Sequence, residues 1–268
     1  MSLPPRAPGW KYDIPSSSHA ASSESILTHL DPPPNQMNTI FLEIPRSTLK
    51  IRGISIILMP PVLLFTIIGS IGIFLSMLAD AKLDLELFFA ILALCILSIF
   101  ATIPYLRFEL GLPRDEPIRF NRHRRKVYFY QYRMNRLNPF GRKGWGVQPI
   151  AYDWDALTAE VYRMYLPMGY GGLKEEVRIS VRDLESGEVI DRFFLSDDIQ
   201  EGEQYWAIAR LFMQEGPDAI PDFIHPPRDW NEEKLSNPFD QRAPKVKWPA
   251  EMDLESRTAP DQVEQSSS

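Results

Sequence analysis

The sequence predicts a membrane α-helical hairpin followed by a mainly-β soluble domain, a small barrel or sandwich that one C-terminal helix closes. Two neighbouring runs without a single Asp, Glu, Lys, Arg or His predict the hairpin. Short segments in which apolar and polar residues alternate follow the second run and predict antiparallel strands. A final segment with helical periodicity predicts the closing helix.

The N-terminal residues 1–38 are rich in Ser and Pro and poor in large apolar side chains. Such a segment cannot bury enough surface to offset the entropy of ordering, so we expect it to be disordered. No charged segment runs directly into an apolar one here, which argues against a cleaved signal peptide. Residues 39–52 then form a juxtamembrane segment.

The two apolar runs are long enough to cross a bilayer. Residues 53–78 would form a helix of roughly 39 Å, which exceeds the ~30 Å hydrocarbon core, so the helix can span with tilt. Residues 87–106 are equally free of Asp, Glu, Lys, Arg and His, and the short loop of residues 79–86 forces an antiparallel hairpin. Two buried helices of a soluble core are the alternative, but such helices rarely stay uncharged for so long.

The flanking charges orient this hairpin. Positive residues crowd its two outer ends: Arg46, Lys50 and Arg52 before it, and Arg107, Arg114, Arg119, Arg122, Arg124, Arg125 and Lys126 after it. The connecting loop offers Lys82 alone against three carboxylates. The positive-inside rule therefore predicts that both termini are cytoplasmic and that the loop is external. Because the spans hold no Asp, Glu, Lys, Arg or His, we expect an anchor rather than a conduit for ions.

Small residues on the spans could let the two helices pack closely or could mediate homo-oligomerisation. Gly69, Gly72 and Ser76 fall near one face of the first span. The chain's single cysteine, Cys95, lies in the middle of the second span, so an intrachain disulfide is impossible.

Six or seven strands are predicted in residues 107–221, with the clearest periodicity at 117–120, 126–132, 147–152, 157–165, 176–183 and 189–195. Gly187 is placed in a turn where a positive φ is needed. Asp197 or Asp198 can cap the closing helix. Its apolar face has helical spacing and comprises Tyr205, Ile208, Ala209 and Phe212. Residues 222–268 are Pro-rich and acidic, and we expect them to be mostly disordered, with Trp230 and Trp248 pinned locally.

Three features, taken with the hairpin, resemble an uncharacterised proteobacterial membrane-protein family that often lies in type VI secretion gene neighbourhoods. They are the Pro-Ile-Arg-Phe-Asn-Arg and Arg-Lys-Val-Tyr segments within Pro117–Tyr128, the Tyr-Asp-Trp-Asp motif of Tyr152–Asp155, and Trp206 in the final helix. The resemblance covers roughly residues 40–220. It implies a pleckstrin-homology-like (PH-like) domain in a bacterial inner-membrane protein, and it offers no catalytic residues.

Signals for catalysis are weak. The histidines and the cysteine form no metal-binding spacing, and the two Gly-rich segments are explained by turns, so we expect neither metal nor cofactor. Asp153 and Asp155 could bind a metal or transfer protons, but a solvated pair at a strand end is the simpler interpretation. The protein is therefore predicted not to be an enzyme.

The strongest functional candidate is a cluster of cations on the first predicted β-hairpin: Arg119, Arg122, Arg124, Arg125 and Lys126. Next to a membrane these side chains would attract anionic lipid, at roughly 1 kcal/mol each. The alternative is that they only fix the topology, and the two roles are compatible. Nucleic acid is not an expected partner, because residues 146–268 hold 12 Lys or Arg against 25 Asp or Glu.

Two functions are compatible with these features. In the first, the β domain is a membrane-anchored scaffold that binds a cytoplasmic protein of unknown identity, and the resemblance implies a role as an accessory of type VI secretion. In the second, suggested only by the resemblance, the chain is an immunity protein against a secreted toxin. The external loop is too small to mask a periplasmic enzyme, so that toxin would act in the cytoplasm or within the bilayer.

Overall fold

The computed structural model describes residues 7–17, 19, 30–46, 52–80, 84–165, 172–229, 231–232 and 235–260. Two long apolar helices and a mainly-β body make up this part of the chain. The prediction for Trp230 and most of that for the Gly-rich segment at 169–172 fall outside the described residues, as do parts of both tails.

The helices are α1, Ile54–Ala79, and α2, Leu85–Gly111. They contact each other through the rings of Phe74 and Phe88, whose centroids are 5.8 Å apart. Both are long and apolar enough to cross a membrane, and only 11% of an apolar 18-residue stretch of each helix is buried. Neither helix is therefore a core helix of the β body, which was the alternative raised by the sequence.

Helix α2 is longer than the predicted 87–106 at both ends. The Asp84 side chain accepts hydrogen bonds from the backbone N–H groups of Glu86 and Leu87, so the helix begins earlier than the apolar run. Past Leu106 the residues become charged, but helical hydrogen bonding continues to Gly111. Hydropathy marks where the apolar surface ends and not where the helix ends.

The described strands form two antiparallel sheets. The five-stranded sheet has the order β2-β3-β4-β5-β6, with bounds Gln36–Met37, Phe41–Ile44, Ile118–Asn121, Lys126–Arg133 and Gly146–Asp153. The four-stranded sheet has the order β1-β7-β8-β9, with bounds Trp10–Asp13, Leu157–Tyr165, Leu173–Arg182 and Val189–Ser196. Strands β4 to β9 correspond to the six predicted strands.

One hydrophobic core joins the two sheets to helix α3, Ile199–Gln214. The rings of Phe129 and Phe193, one from each sheet, stack with centroids 4.0 Å apart. Trp154, in the 3₁₀ turn Trp154–Ala156 between the sheets, packs against Trp206 of α3 at 5.1 Å. The predicted cap at Asp198 and the predicted apolar face of α3 are confirmed.

The expected disorder of residues 1–38 is wrong for much of this segment. Strand β1 pairs with the edge strand β7, and the N–H of Ile14 donates to the carbonyl of Ala159 at 2.9 Å. Ile14 and Leu30 are buried in the core. A segment that adds to an existing sheet edge needs few apolar residues of its own, so a test based on composition fails here. In the juxtamembrane segment, Phe41–Ile44 is likewise strand β3, paired with β4.

The expected disorder of residues 222–268 is wrong for residues 235–260. This stretch contains two short helices, α4 (Pro238–Arg242) and α5 (Ala250–Arg257). As expected, Trp248 is held locally: its ring lies 5.1 Å from that of Tyr130. Polar contacts with distant arginines order this stretch, and composition alone does not register such contacts.

Candidate functional site

The predicted basic cluster lies on the β4–β5 hairpin and its outer face. Asn121 pairs with Lys126, and residues 122–125 form the turn between them. The Asn121 Oδ1 atom accepts from the N–H of Arg124 at 2.9 Å, and Arg125 takes a positive φ of 50°. These local bonds place four consecutive cation-capable side chains at the tip of the hairpin.

Arg119 is buried, with 1% of its surface exposed. Its guanidinium donates to Glu43 of β3 at 2.6 Å, to Asp253 at 2.9 Å and to the hydroxyl of Ser256 at 2.5 Å. It also lies 4.7 Å from the centre of the Trp248 ring. The predicted lipid contact of Arg119 is therefore wrong, because the C-terminal segment covers this residue and occupies its donors.

The same segment binds two further members of the cluster. Arg124 donates to the carbonyls of Thr258 and Ala259 at 3.0 and 3.2 Å, and Lys126 pairs with Glu255 at 3.0 Å. Arg125 pairs instead with Asp155 through an exposed contact. The Asp153–Asp155 pair singled out in the sequence thus supplies one partner for the basic turn.

Arg122 lies against the backbone of Gly216: a Cβ added at that glycine would be 2.6 Å from a guanidinium nitrogen of Arg122. The lipid contact of Arg122, Arg124, Arg125 and Lys126 stays a prediction. The basic turn lies about 20 Å along β5, the length of six strand residues, from Tyr132. Tyr132 packs against Phe108 of α2, so the turn is far from the point where the body contacts the helices.

Asn121 completes the site by capping helix α5. It is fully buried, and its Nδ2 donates to the carbonyls of Ser256 and Thr258 at 3.0 and 3.1 Å. The last carbonyls of a helix have no partner within the helix, so a side chain from β4 here satisfies them. We call the surface formed by Glu43, Arg119, Asn121, Arg124 and Lys126 the α5-binding face.

The charges across the α5-binding face perturb its carboxylates. Burial alone would raise the pKa of Asp253, but the hydrogen bond from Arg119 and the charges of Arg119 and Arg257 outweigh it and hold the pKa below its usual value. For Glu255, Lys126 similarly outweighs the effect of burial and lowers the pKa. Both carboxylates therefore bind the body in their charged forms.

A second group of charges holds the segments that precede and follow the helical hairpin against the β body. Arg46 is buried, and its guanidinium donates to the carbonyls of Glu116, Phe194 and Tyr130 at 2.9 to 3.1 Å. Nearby, burial raises the pKa of Asp115 to about 7, although Asn35 and two backbone N–H groups donate to the carboxylate. Arg46, which the sequence assigned to topology, is thus a structural clamp.

One surface was missed by the sequence analysis. The loop of residues 134–145 between β5 and β6 packs beside the C-terminal part of α2. It exposes Leu137 and Phe140, and it carries the cations Arg136, Arg142 and Lys143 without a carboxylate. The available signal was an apolar pair within a basic stretch, which was interpreted only as turn chemistry.

These features define a class: two apolar helices in a hairpin that carry a mainly-β body. The chain belongs to a family of unknown function, DUF6708, whose model matches residues 95–260. Comparison with curated proteins and with solved structures finds no match. The matched region includes α4 and α5, so the segment that binds the basic hairpin is part of the family's own module.

Proposed function

We propose that the protein is a non-enzymatic protein of the bacterial inner membrane, in which α1 and α2 anchor a PH-like β body on the cytoplasmic side. The observation that carries this proposal is the exposure of both helices. Only 11% of an apolar 18-residue stretch of each helix is buried. Phe65, for example, is 80% exposed in the middle of α1. A bilayer would remove this apolar surface from water.

Charge supports the cytoplasmic placement of the body. Asp80 and Asp84 stand at the end of the hairpin that faces away from the β body. At the opposite end lie Arg107, Arg114 and the cations of the β5–β6 loop. This distribution follows the positive-inside rule. The PH-like architecture is supported by two antiparallel sheets that share one core with α3.

The body is proposed to act by binding a cytoplasmic protein, as a scaffold of type VI secretion. Its α5-binding face already holds a short acidic helix through the buried donors of Arg119 and Asn121 and through the half-exposed Lys126, so the face has the chemistry to hold such a segment. A partner segment of the same kind would compete with α5 for Arg119 and Asn121.

Cysteine labelling on cells tests the anchoring and the orientation. In a Cys95→Ser background, Lys82→Cys places a thiol in the loop between the helices, and His123→Cys places one at the exposed tip of the β4–β5 turn. A membrane-impermeant maleimide should label residue 82 in cells with a permeabilised outer membrane, and residue 123 only after lysis. Labelling of residue 123 in unlysed cells would refute the cytoplasmic placement. Release of the protein from membranes by alkaline carbonate would refute the anchor itself.

A further inference from the structure

We propose that the β5–β6 loop, residues 134–145, inserts Leu137 and Phe140 into the lipid bilayer beside α2 and places its cations among anionic headgroups. This inference rests on the proposed membrane anchor. It assigns the lipid contact to a surface different from the basic turn, and it makes the β body a second point of attachment to the membrane.

Helix α2 holds the loop in place through Arg107. This guanidinium donates to the carbonyls of Pro139 and Gly141 at 2.7 and 2.6 Å, on either side of Phe140. It also lies 4.4 Å from the centre of the Trp145 ring. The first charged residue after the apolar run of α2 therefore fixes the backbone on both sides of an exposed aromatic ring.

The position of Phe140 along α2 sets its depth. Its ring contacts that of Phe100 edge to face, with centroids 5.6 Å apart. Phe100 precedes Arg107 by seven residues, which is about 10 Å along the helix toward the apolar middle. If α2 spans the bilayer, Phe140 shares the depth of Phe100 and lies below the level of the Arg107 charge.

The exposed side chains of the loop fit a bilayer surface. Leu137 is 96% exposed and Phe140 is 62% exposed, which would be unfavourable in water for two apolar side chains of one short loop. Arg136, Arg142 and Lys143 surround them and are exposed. No carboxylate in the described part of the chain forms an ion pair with these three cations. Arg136 lies 5.4 Å from the centre of the Tyr105 ring of α2, which holds this cation beside the helix. Apolar side chains among cations that have no carboxylate partner in the described part of the chain match an anionic membrane interface.

Internal hydrogen bonds shape the loop before any lipid binds. The Asn138 Oδ1 atom accepts from the N–H of Gly141 at 2.9 Å, and the indole N–H of Trp145 donates to the Asn138 carbonyl at 2.8 Å. Gly144 takes a φ of 79°, which favours glycine. Because the apolar tip is already formed, inserting it costs little conformational entropy.

Fluorescence quenching on the full chain, reconstituted in phosphatidylcholine–phosphatidylglycerol vesicles, tests the inference. In the Cys95→Ser background an environment-sensitive dye is attached to Leu137→Cys or to Phe140→Cys. Leu137→Cys leaves the contact between Phe140 and Phe100 intact, so a lost contact cannot explain its result. Leu97→Cys in α2 is the reference within the span, and His123→Cys in the basic turn is the reference in water.

Dyes at residues 137 and 140 should emit at shorter wavelength than the dye at 123. They should be quenched by a nitroxide attached to lipid near the headgroup, and iodide should quench them several-fold less than it quenches residue 123. Iodide quenching equal to that at 123, with residue 97 still quenched by lipid, would overturn the loop insertion and leave the anchor standing. Protection from both quenchers would mean that protein covers the loop, and it would also overturn the insertion. Iodide access to residue 97 would overturn the anchor itself.

Discussion

Arg52 and Glu109 cap each other's helices. The Arg52 guanidinium donates to the carbonyls of Glu109 and Leu112 at the end of α2, at 2.9 and 2.8 Å. The Glu109 carboxylate accepts from the N–H groups of Gly53 and Ser55 at the start of α1. Each charge also has the sign that its helix end favours, so one pair of residues closes the base of the hairpin.

Glu109→Ala should destabilise the protein by about 1 to 3 kcal/mol, because it leaves buried N–H groups at the start of α1 without an acceptor. Thermal unfolding of the detergent-purified protein measures this as a fall in Tm. Glu86→Ala is the matched control, since Glu86 is exposed at the other end of the hairpin. Equal Tm values for the two variants would contradict the capping role of Glu109.

Two arginines of the basic cluster should respond very differently to loss of charge. Arg119→Gln leaves Glu43 buried without its partner, and we expect a loss of about 3 to 5 kcal/mol. Arg125→Gln removes only an exposed ion pair with Asp155, and we expect a loss below about 1 kcal/mol. Chemical denaturation of both variants in the same detergent compares them. Similar stability of the two would mean that Arg119 is no anchor for the C-terminal segment.

The contrast between these arginines marks what local sequence patterns can predict. Strands β4 to β9 and helix α3 were predictable, because their apolar periodicity and their turns are encoded within a few residues. Alternation even places Arg119 on the outer face of β4, opposite to Ile118 and Phe120. Arg119 is covered by the segment that holds Asp253, which lies 134 residues further along the chain. Sequence periodicity holds no information about a contact over that separation.

Strand β3 was missed for a related reason. It is four residues long, and its partner β4 follows only after the two helices of the hairpin in the sequence. In the structure the two strands pair, with Ile44 opposite Ile118. The apolar residues of β3 were therefore attributed to the approach to the membrane. Charge density singled out the β4–β5 turn as the candidate for lipid contact and passed over the β5–β6 loop. The contact of Phe140 with Phe100 depends on tertiary structure.

Helix α5 should separate from the body at low pH. The pKa values of Asp253 and Glu255 lie below their ordinary values of 3.8 and 4.5 when α5 is bound. Binding is therefore stabilised by ionisation above those ordinary values and weakens as the pH falls through the lowered ones. The protection of residues 250–258 against hydrogen exchange, relative to the intrinsic rate at each pH, should fall in that range, ahead of protection in β5. Asp253→Asn with Glu255→Gln should remove the pH dependence, and a persistent dependence would assign it to other groups.

Asp115 should produce the opposite pH dependence. Its pKa is about 7 in the folded protein and near 3.8 in an unfolded chain, because burial near Glu43 disfavours the charge. Between these values the folded state keeps a proton that the unfolded state has released, so rising pH favours unfolding.

This pH-dependent contribution to stability disappears in Asp115→Asn, because the asparagine side chain cannot ionise. From about pH 4 to about pH 7 the wild type should therefore lose stability relative to the variant, by up to about 4 kcal/mol. A changed contact between residue 115 and Asn35 would shift the variant's stability equally at every pH. The slope of the Tm difference against pH is thus the readout, and a flat difference would mean that the Arg46 clamp keeps Asp115 ionised throughout.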